Sequence, residues 1–168
     1  MSGRLIYVCG DKGGSTKSTT GHLLCLGAIL RREPAAYVLT DEGRKLKILG
    51  RPYNVLDGTT PKALAGIITG STTSQNGWWI IDGGGSRPDL DKVIGAQAQL
   101  CLVPFRDGQE DVDAAMKALE AIPNALAWPS AWPTNALARK ASQKFIDEVA
   151  AVFPLRVITP PITHQSVF

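Results

Sequence analysis

Two lysines and four hydroxyls stand among glycines near the start of the chain, in the run Gly10-Asp11-Lys12-Gly13-Gly14-Ser15-Thr16-Lys17-Ser18-Thr19. Such a composition suits phosphate. Glycines let a loop turn its backbone N–H groups inward, a following helix N-terminus adds donors and positive potential, and a lysine supplies a mobile cation for the outer phosphates. Lys17 has the position for that role, and the Ser18 hydroxyl that of a Mg²⁺ ligand. A bare glycine turn with no ligand would leave Lys12 and Lys17 converging on one loop with their charges opposed.

Two aspartates complete the chemistry. Asp41 and Asp82 each end a short apolar stretch, Tyr37-Val38-Leu39-Thr40-Asp41 and Trp78-Trp79-Ile80-Ile81-Asp82. In an open parallel sheet the carboxyl ends of strands line the ligand crevice, where a Mg²⁺-phosphate complex needs carboxylates. Gly83, Gly84 and Gly85 follow Asp82 and form a backbone able to swing; the plainer reading is a strand ending in a flexible turn.

These groups need a frame, and the rest of the chain provides one. Apolar strand candidates lie at Arg4–Cys9, Ala36–Thr40, Trp78–Asp82, Gln99–Pro104, Ala125–Trp128 and Leu155–Thr159, separated by helical stretches. This alternation implies an α/β fold, a doubly wound, mainly parallel sheet with helices on both faces. Ser18–Arg32 reads as a helix rich enough in leucine and isoleucine to pack under the sheet, stopped by Arg31, Arg32 and Pro34. Asp111–Ile122 and Asn135–Val152 are amphipathic, and Asp111 and Asp113 suit the positive end of the first. From Glu42 to Gly77 the pattern weakens into loops, with a short helix near Pro61–Ile68.

With 168 residues, 44% hydrophobic and 20% charged, the chain has the make-up of a single domain over 1–168 with a substantial core. A net charge of +3 is too small to demand a nucleic-acid partner. No apolar run approaches membrane-spanning length and no signal pattern is seen, so a cytoplasmic location is expected. Cys9, Cys25 and Cys101 read as reduced core thiols. His22 and His164 have no ligands at metal-binding spacing, and Ser15 and Ser86 have no histidine partner for nucleophilic catalysis. Trp128 and Trp132 suit core packing better than a partner surface. The basic groups Arg44, Lys45, Lys47, Arg51 and Arg139, Lys140, Lys144 read first as solvated faces and second as contacts to a nucleic-acid backbone.

Lys12-Gly13-Gly14-Ser15-Thr16-Lys17-Ser18 resembles the deviant Walker A signature KGGxGK[ST] of the ParA and MinD ATPases of plasmid and chromosome partition and division-site placement. The resemblance extends more loosely over most of the chain, through the Asp82 strand and the segment Arg156-Val157-Ile158-Thr159-Pro160-Pro161-Ile162. It implies ATP or ADP with Mg²⁺, bound by residues 11–19, with Ser18 and Asp82 at the metal and Pro160 and Pro161 against the base. Lys12 becomes the signature lysine that reaches a partner's nucleotide across an ATP-dependent homodimer. A ParB-like or transfer and maintenance partner, and nonspecific DNA, are the implied associates. Asp41 is the implied water-positioning aspartate in one register; in a register shifted by two, it is the first aspartate of the motif and Gly43 stands at the catalytic position. One departure matters: Thr16 occupies the place of a glycine, and a Cβ in a positive-φ conformation there costs on the order of 1–3 kcal/mol. A weak Mg²⁺-dependent ATPase switch, a non-hydrolysing nucleotide-binding adaptor and a small ATP-dependent metabolic enzyme all remain open.

Overall fold

The computed structural model describes residues 3–45, 48–74, 76–85 and 87–163; Lys47, Ser86 and His164 lie outside them. Six strands form one parallel sheet: β1 (Arg4–Val8), β2 (Ala35–Leu39), β3 (Asn54–Asp57), β4 (Trp78–Asp82), β5 (Leu100–Phe105) and β6 (Ala125–Pro129), in the order β3-β2-β4-β1-β5-β6. Five helices connect them: α1 (Lys17–Leu30), α2 (Pro61–Thr73), α3 (Pro88–Gln97), α4 (Gln109–Ala121) and α5 (Ala136–Val152). The α/β expectation holds, and the order has a direct consequence for function. β4 lies between β1 and β2, pairing Val8 and Leu39 with Asp82, so the phosphate-loop strand and both aspartate-bearing strands end side by side.

Two cores sandwich the sheet. Leu64 and Ile68 of α2, Ile94 of α3, Val112 and Leu119 of α4, and Ile146 and Val149 of α5 pack with Leu5, Tyr7, Ile81 and Val103 on one face. On the other, α1 presents Cys25 and Ala28 to Ile6, Val8, Tyr37, Ile80 and Leu102. Asn135 caps α5 by accepting from Leu137 N at 2.9 Å and Ala138 N at 3.2 Å, which satisfies two of the helix's four free donors. All three cysteines are buried free thiols. Trp132 is fully buried and meets Phe105 edge-on, as core packing requires.

Four expectations need correction. The loop region from Glu42 contains β3, and α2 continues to Thr73; β3 escapes notice because both ends of Asn54-Val55-Leu56-Asp57 are exposed and polar. Helix α3 leaves little trace in the sequence, since Gly95 interrupts its weak apolar pattern. Leu155–Thr159 forms no strand; Val157 makes only an isolated parallel bridge to Ala127 at the sheet edge. Finally, α1 leaves most of its leucines outside the core: Thr20, Gly21, Cys25 and Ala28 face the sheet with Leu24 partly buried beside them, while Leu23, Leu26 and Leu30 are 44%, 37% and 85% exposed. Small residues suit that face because α1 lies close over the strands, and the Tyr37 ring stands 3.0 Å from where a Gly21 Cβ would be.

Candidate functional site

The loop between β1 and α1 is built around backbone donors. Helix α1 starts at Lys17 with no side-chain cap and no acidic residue in its first turn, which leaves its N–H groups and positive end open. Gly14 has φ +78°, in the left-handed region that favours glycine, and a Cβ added at Gly13 or Gly14 meets nothing within 4 Å. The emptiness is a cavity of about 490 Å³, lined by residues 13–19, Asp41, Arg44, Gly83 and Gly85.

Thr16 takes a left-handed backbone conformation of the kind that favours glycine, with φ 67° and ψ 15°. Its hydroxyl donates to Ser15 O at 2.6 Å and pairs with Ser130 Oγ at 2.5 Å, and Ser130 also contacts Phe105 O at 3.2 Å. A hydroxyl bridge to the end of β6 thus holds the strained residue in place. Ser130 has no local signal as a site residue, because its partnership with Thr16 spans 114 positions.

The two lysines do not converge. Lys17 Nζ turns into the loop, donating to Lys12 O at 2.8 Å; burial lowers its pKa, opposed by Asp82 and Asp91. Lys12 points away and binds Asp111 Oδ2 at 2.6 Å and Glu110 Oε2 at 3.1 Å in the first turn of α4. The hydrogen bond to Asp111, followed by that to Glu110, raises the pKa of the Lys12 ammonium.

Asp82 is the electrostatic centre. Its side chain is 3% exposed, and burial pushes its pKa up against the hydrogen bonds that hold it charged. Oδ2 accepts from Ser18 Oγ at 2.6 Å, from Tyr37 OH and, at 3.3 Å, from Arg44 Nη1, which also contacts Ser18 Oγ. Oδ1 is buried and has no partner among the described residues, as expected of an oxygen that would take a ligand or water. A hard divalent cation favours such oxygen donors, so Ser18 and Asp82 fit Mg²⁺. Tyr37 and Arg44 are additions to the expected site; in the sequence Arg44 belongs to a basic run that reads first as a solvated face.

The glycines after Asp82 are tied rather than loose. Gly83 N donates to Val8 O at 2.8 Å and Gly84 N to Thr40 Oγ1 at 3.0 Å, and a Cβ on Gly83 would lie 2.7 Å from Val8 O. Of the three, Gly85 alone is exposed. Close approach of backbones, not swing, explains the first of them. Asp41 borders the phosphate cavity, with Oδ1 turned back to Gly43 N at 2.9 Å, whereas Gly43 does not line it.

Beside the phosphate cavity lies a larger, mainly apolar one of about 920 Å³, lined by Thr16, Thr19, Leu23, Trp128, Ser130 and the segment 158–163. Pro160 and Pro161 belong to its wall, and Trp128 Nε1 donates to Pro160 O at 3.1 Å. A cavity ringed by backbone donors beside a mainly apolar one, with Thr16 and Thr19 lining both, is the division a nucleotide requires.

Comparison with solved structures agrees with this geometry. McdA of Cyanothece in its ATP complex superposes with a TM-score of 0.71 at 14% identity, over 98% of this chain and 84% of that one. The chain has the fold of the ParA-like P-loop ATPases. Cobyrinic acid a,c-diamide synthase of Mycobacterium smegmatis, with ADP and magnesium, gives 0.72 at 16% identity over 98% and 88% of the two chains. pNOB8 ParA bound to nonspecific DNA gives 0.66 at 16% over 95% and 80%. No protein-family model matches the chain, and no curated protein matches it in sequence. The fold of those structures thus occurs here on a sequence that shares only 14–16% identity with them. Among the described residues no helix is long and apolar enough to cross a membrane.

Proposed function

We propose that the chain is an ATP-dependent switch that binds ATP with Mg²⁺, pairs with a second copy around two nucleotides and hydrolyses them slowly. The observation that carries this reading is the open cradle at the N-terminus of α1, set against a buried Asp82 with one unpartnered oxygen. Backbone N–H groups of residues 13–19 would hold the phosphates, with Lys17 as the mobile cation. Ser18 and Asp82 would hold Mg²⁺, which when bound neutralises charge on the outer phosphates. Asp41, at the rim of the cavity, would orient water, and Thr19, Pro160 and Pro161 would border the sugar and base. Asp11, exposed on the loop between β1 and α1, does not line the cavity.

Lys12 would act in trans, as an arginine finger does, by supplying positive charge to the partner's phosphates. Its ion pair with Asp111 and Glu110 gives this role a cost: the lysine must leave two carboxylates before it can reach across. A low basal rate follows. The nucleotide state would in turn control binding to DNA or to a partner protein, in plasmid or chromosome partition or a related maintenance or transfer system. The DNA complex of pNOB8 ParA supports including DNA among the partners, and exposed Arg139, Lys140 and Lys144 on α5 are the candidate contacts.

A second reading, a nucleotide-binding adaptor that does not turn over, is favoured by that same engagement of Lys12 within its own chain. Light scattering and ATP hydrolysis, with and without Mg²⁺, on wild type and Lys12→Ala separate the two. The switch predicts ATP-dependent dimers that Lys12→Ala fails to form. Nucleotide binding without dimer or turnover leaves the adaptor, and absence of nucleotide binding removes both.

A further inference from the structure

The turn after β2 carries a cation into the metal position. Arg44 N donates to Asp41 O at 3.2 Å and Gly43 N to Asp41 Oδ1 at 2.9 Å, so a closed turn presents the Arg44 side chain to the site. Its Nη1 bridges Ser18 Oγ and Asp82 Oδ2, the two groups suited to Mg²⁺. Ser18 spends its only proton on Asp82 at 2.6 Å and meets Arg44 with a lone pair, as it would meet a metal ion. Guanidinium and Mg²⁺ on that one oxygen would be cations in near contact, and charges so close repel strongly at the low effective dielectric beside a buried carboxylate.

We infer that Arg44 is a built-in counter-ion for Asp82 that competes with Mg²⁺ for Ser18 and Asp82. The physical need is plain: a carboxylate 3% exposed requires a partner charge when no metal is present, and a half-exposed arginine on a turn can supply it and still withdraw. Withdrawal has somewhere to go. The side chain borders both the phosphate cavity and a second cavity of about 420 Å³ that reaches Lys45 and Arg51. Arrival of Mg²⁺ would thus release the turn that carries Asp41, coupling metal binding to the position of the candidate water-orienting group.

The inference rests on the assignment of Ser18 and Asp82 to Mg²⁺ but not on turnover, and its test begins without nucleotide. Thermal unfolding of wild type, Arg44→Ala and the uncharged, similarly extended Arg44→Gln is followed with and without millimolar Mg²⁺. Both variants should unfold earlier than wild type in the absence of metal, and Mg²⁺ should restore them while scarcely moving wild type. In a second arm, the Mg²⁺ concentration that half-saturates binding of a fluorescent ATP analogue should fall about tenfold in each variant. An equal response of all three proteins to Mg²⁺, or none in any of them, overturns the inference. A wild type that binds no nucleotide refutes the proposed function instead, and the metal response still decides the role of Arg44.

Discussion

Replacing Thr16 tests how this loop holds a side chain in a backbone conformation that favours glycine. At φ 67° and ψ 15° Thr16 is left-handed, a conformation costing roughly 1–2 kcal/mol for a residue with a Cβ. Its pairing with Ser130 at 2.5 Å offsets about 1 kcal/mol of that. Thr16→Ala keeps the strain and removes the hydroxyl bridge, so it should destabilise by about 1 kcal/mol. Thr16→Gly removes the same bridge but relieves the strain, less roughly 0.4–1 kcal/mol for the greater freedom of glycine in the unfolded chain. Glycine should therefore exceed alanine by about 0.5–1 kcal/mol, a difference of roughly 1–4 °C in Tm for a chain of this size. Differential scanning calorimetry at fixed pH resolves such a gap. If Thr16→Ala proves as stable as Thr16→Gly, the residue is not strained and the argument from its backbone fails. Ser130→Ala adds a check: it should match Thr16→Ala closely, and the double variant should cost little more than either, because the same hydrogen bond is missing from all three.

Three further outcomes are expected. Asp111→Asn weakens the hold on Lys12, so ATP-dependent dimers should form at lower protein concentration, as seen by light scattering; unchanged assembly would mean that the ion pair does not restrain the lysine. Burial, with Arg51 and Arg44 adding to it, pushes His22 down from 6.5 to about 4. Because the folded value is the lower one, the neutral imidazole's contribution to stability is complete above about 6.5 and is lost as pH falls through about 4. Urea unfolding across that window should be steeper in pH for wild type than for His22→Gln, and an ordinary imidazole titration by NMR would contradict it. Removing Arg139, Lys140 and Lys144 together should lower the salt dependence of nonspecific DNA binding by roughly one unit of slope for each phosphate they neutralise; an unaltered slope would place the DNA surface elsewhere.

The phosphate loop is legible in the chain because its chemistry is local. Consecutive residues 11–19 supply the glycines, the lysine and the hydroxyl, and a strand before and a helix after them are visible as apolar periodicity. Asp82 is legible for the same reason, at the end of an unbroken apolar strand. What the sequence does not reveal is what partners at long separation decide. Strand order brings β4 between β1 and β2, and only then do Tyr37 and Arg44 reach Asp82 and Ser18. Packing of α4 beside β5 decides that Lys12 rests on Asp111, 99 positions away, instead of crowding Lys17. Which face of α1 is buried also belongs to the tertiary structure: leucine-rich periodicity favours one side, but the close approach of Tyr37 to Gly21 admits only small residues there. Residue types and local order thus determined a candidate phosphate site on an α/β frame. The charges around it were placed by the sheet, since electrostatic partners act through space and leave no periodic trace along the chain.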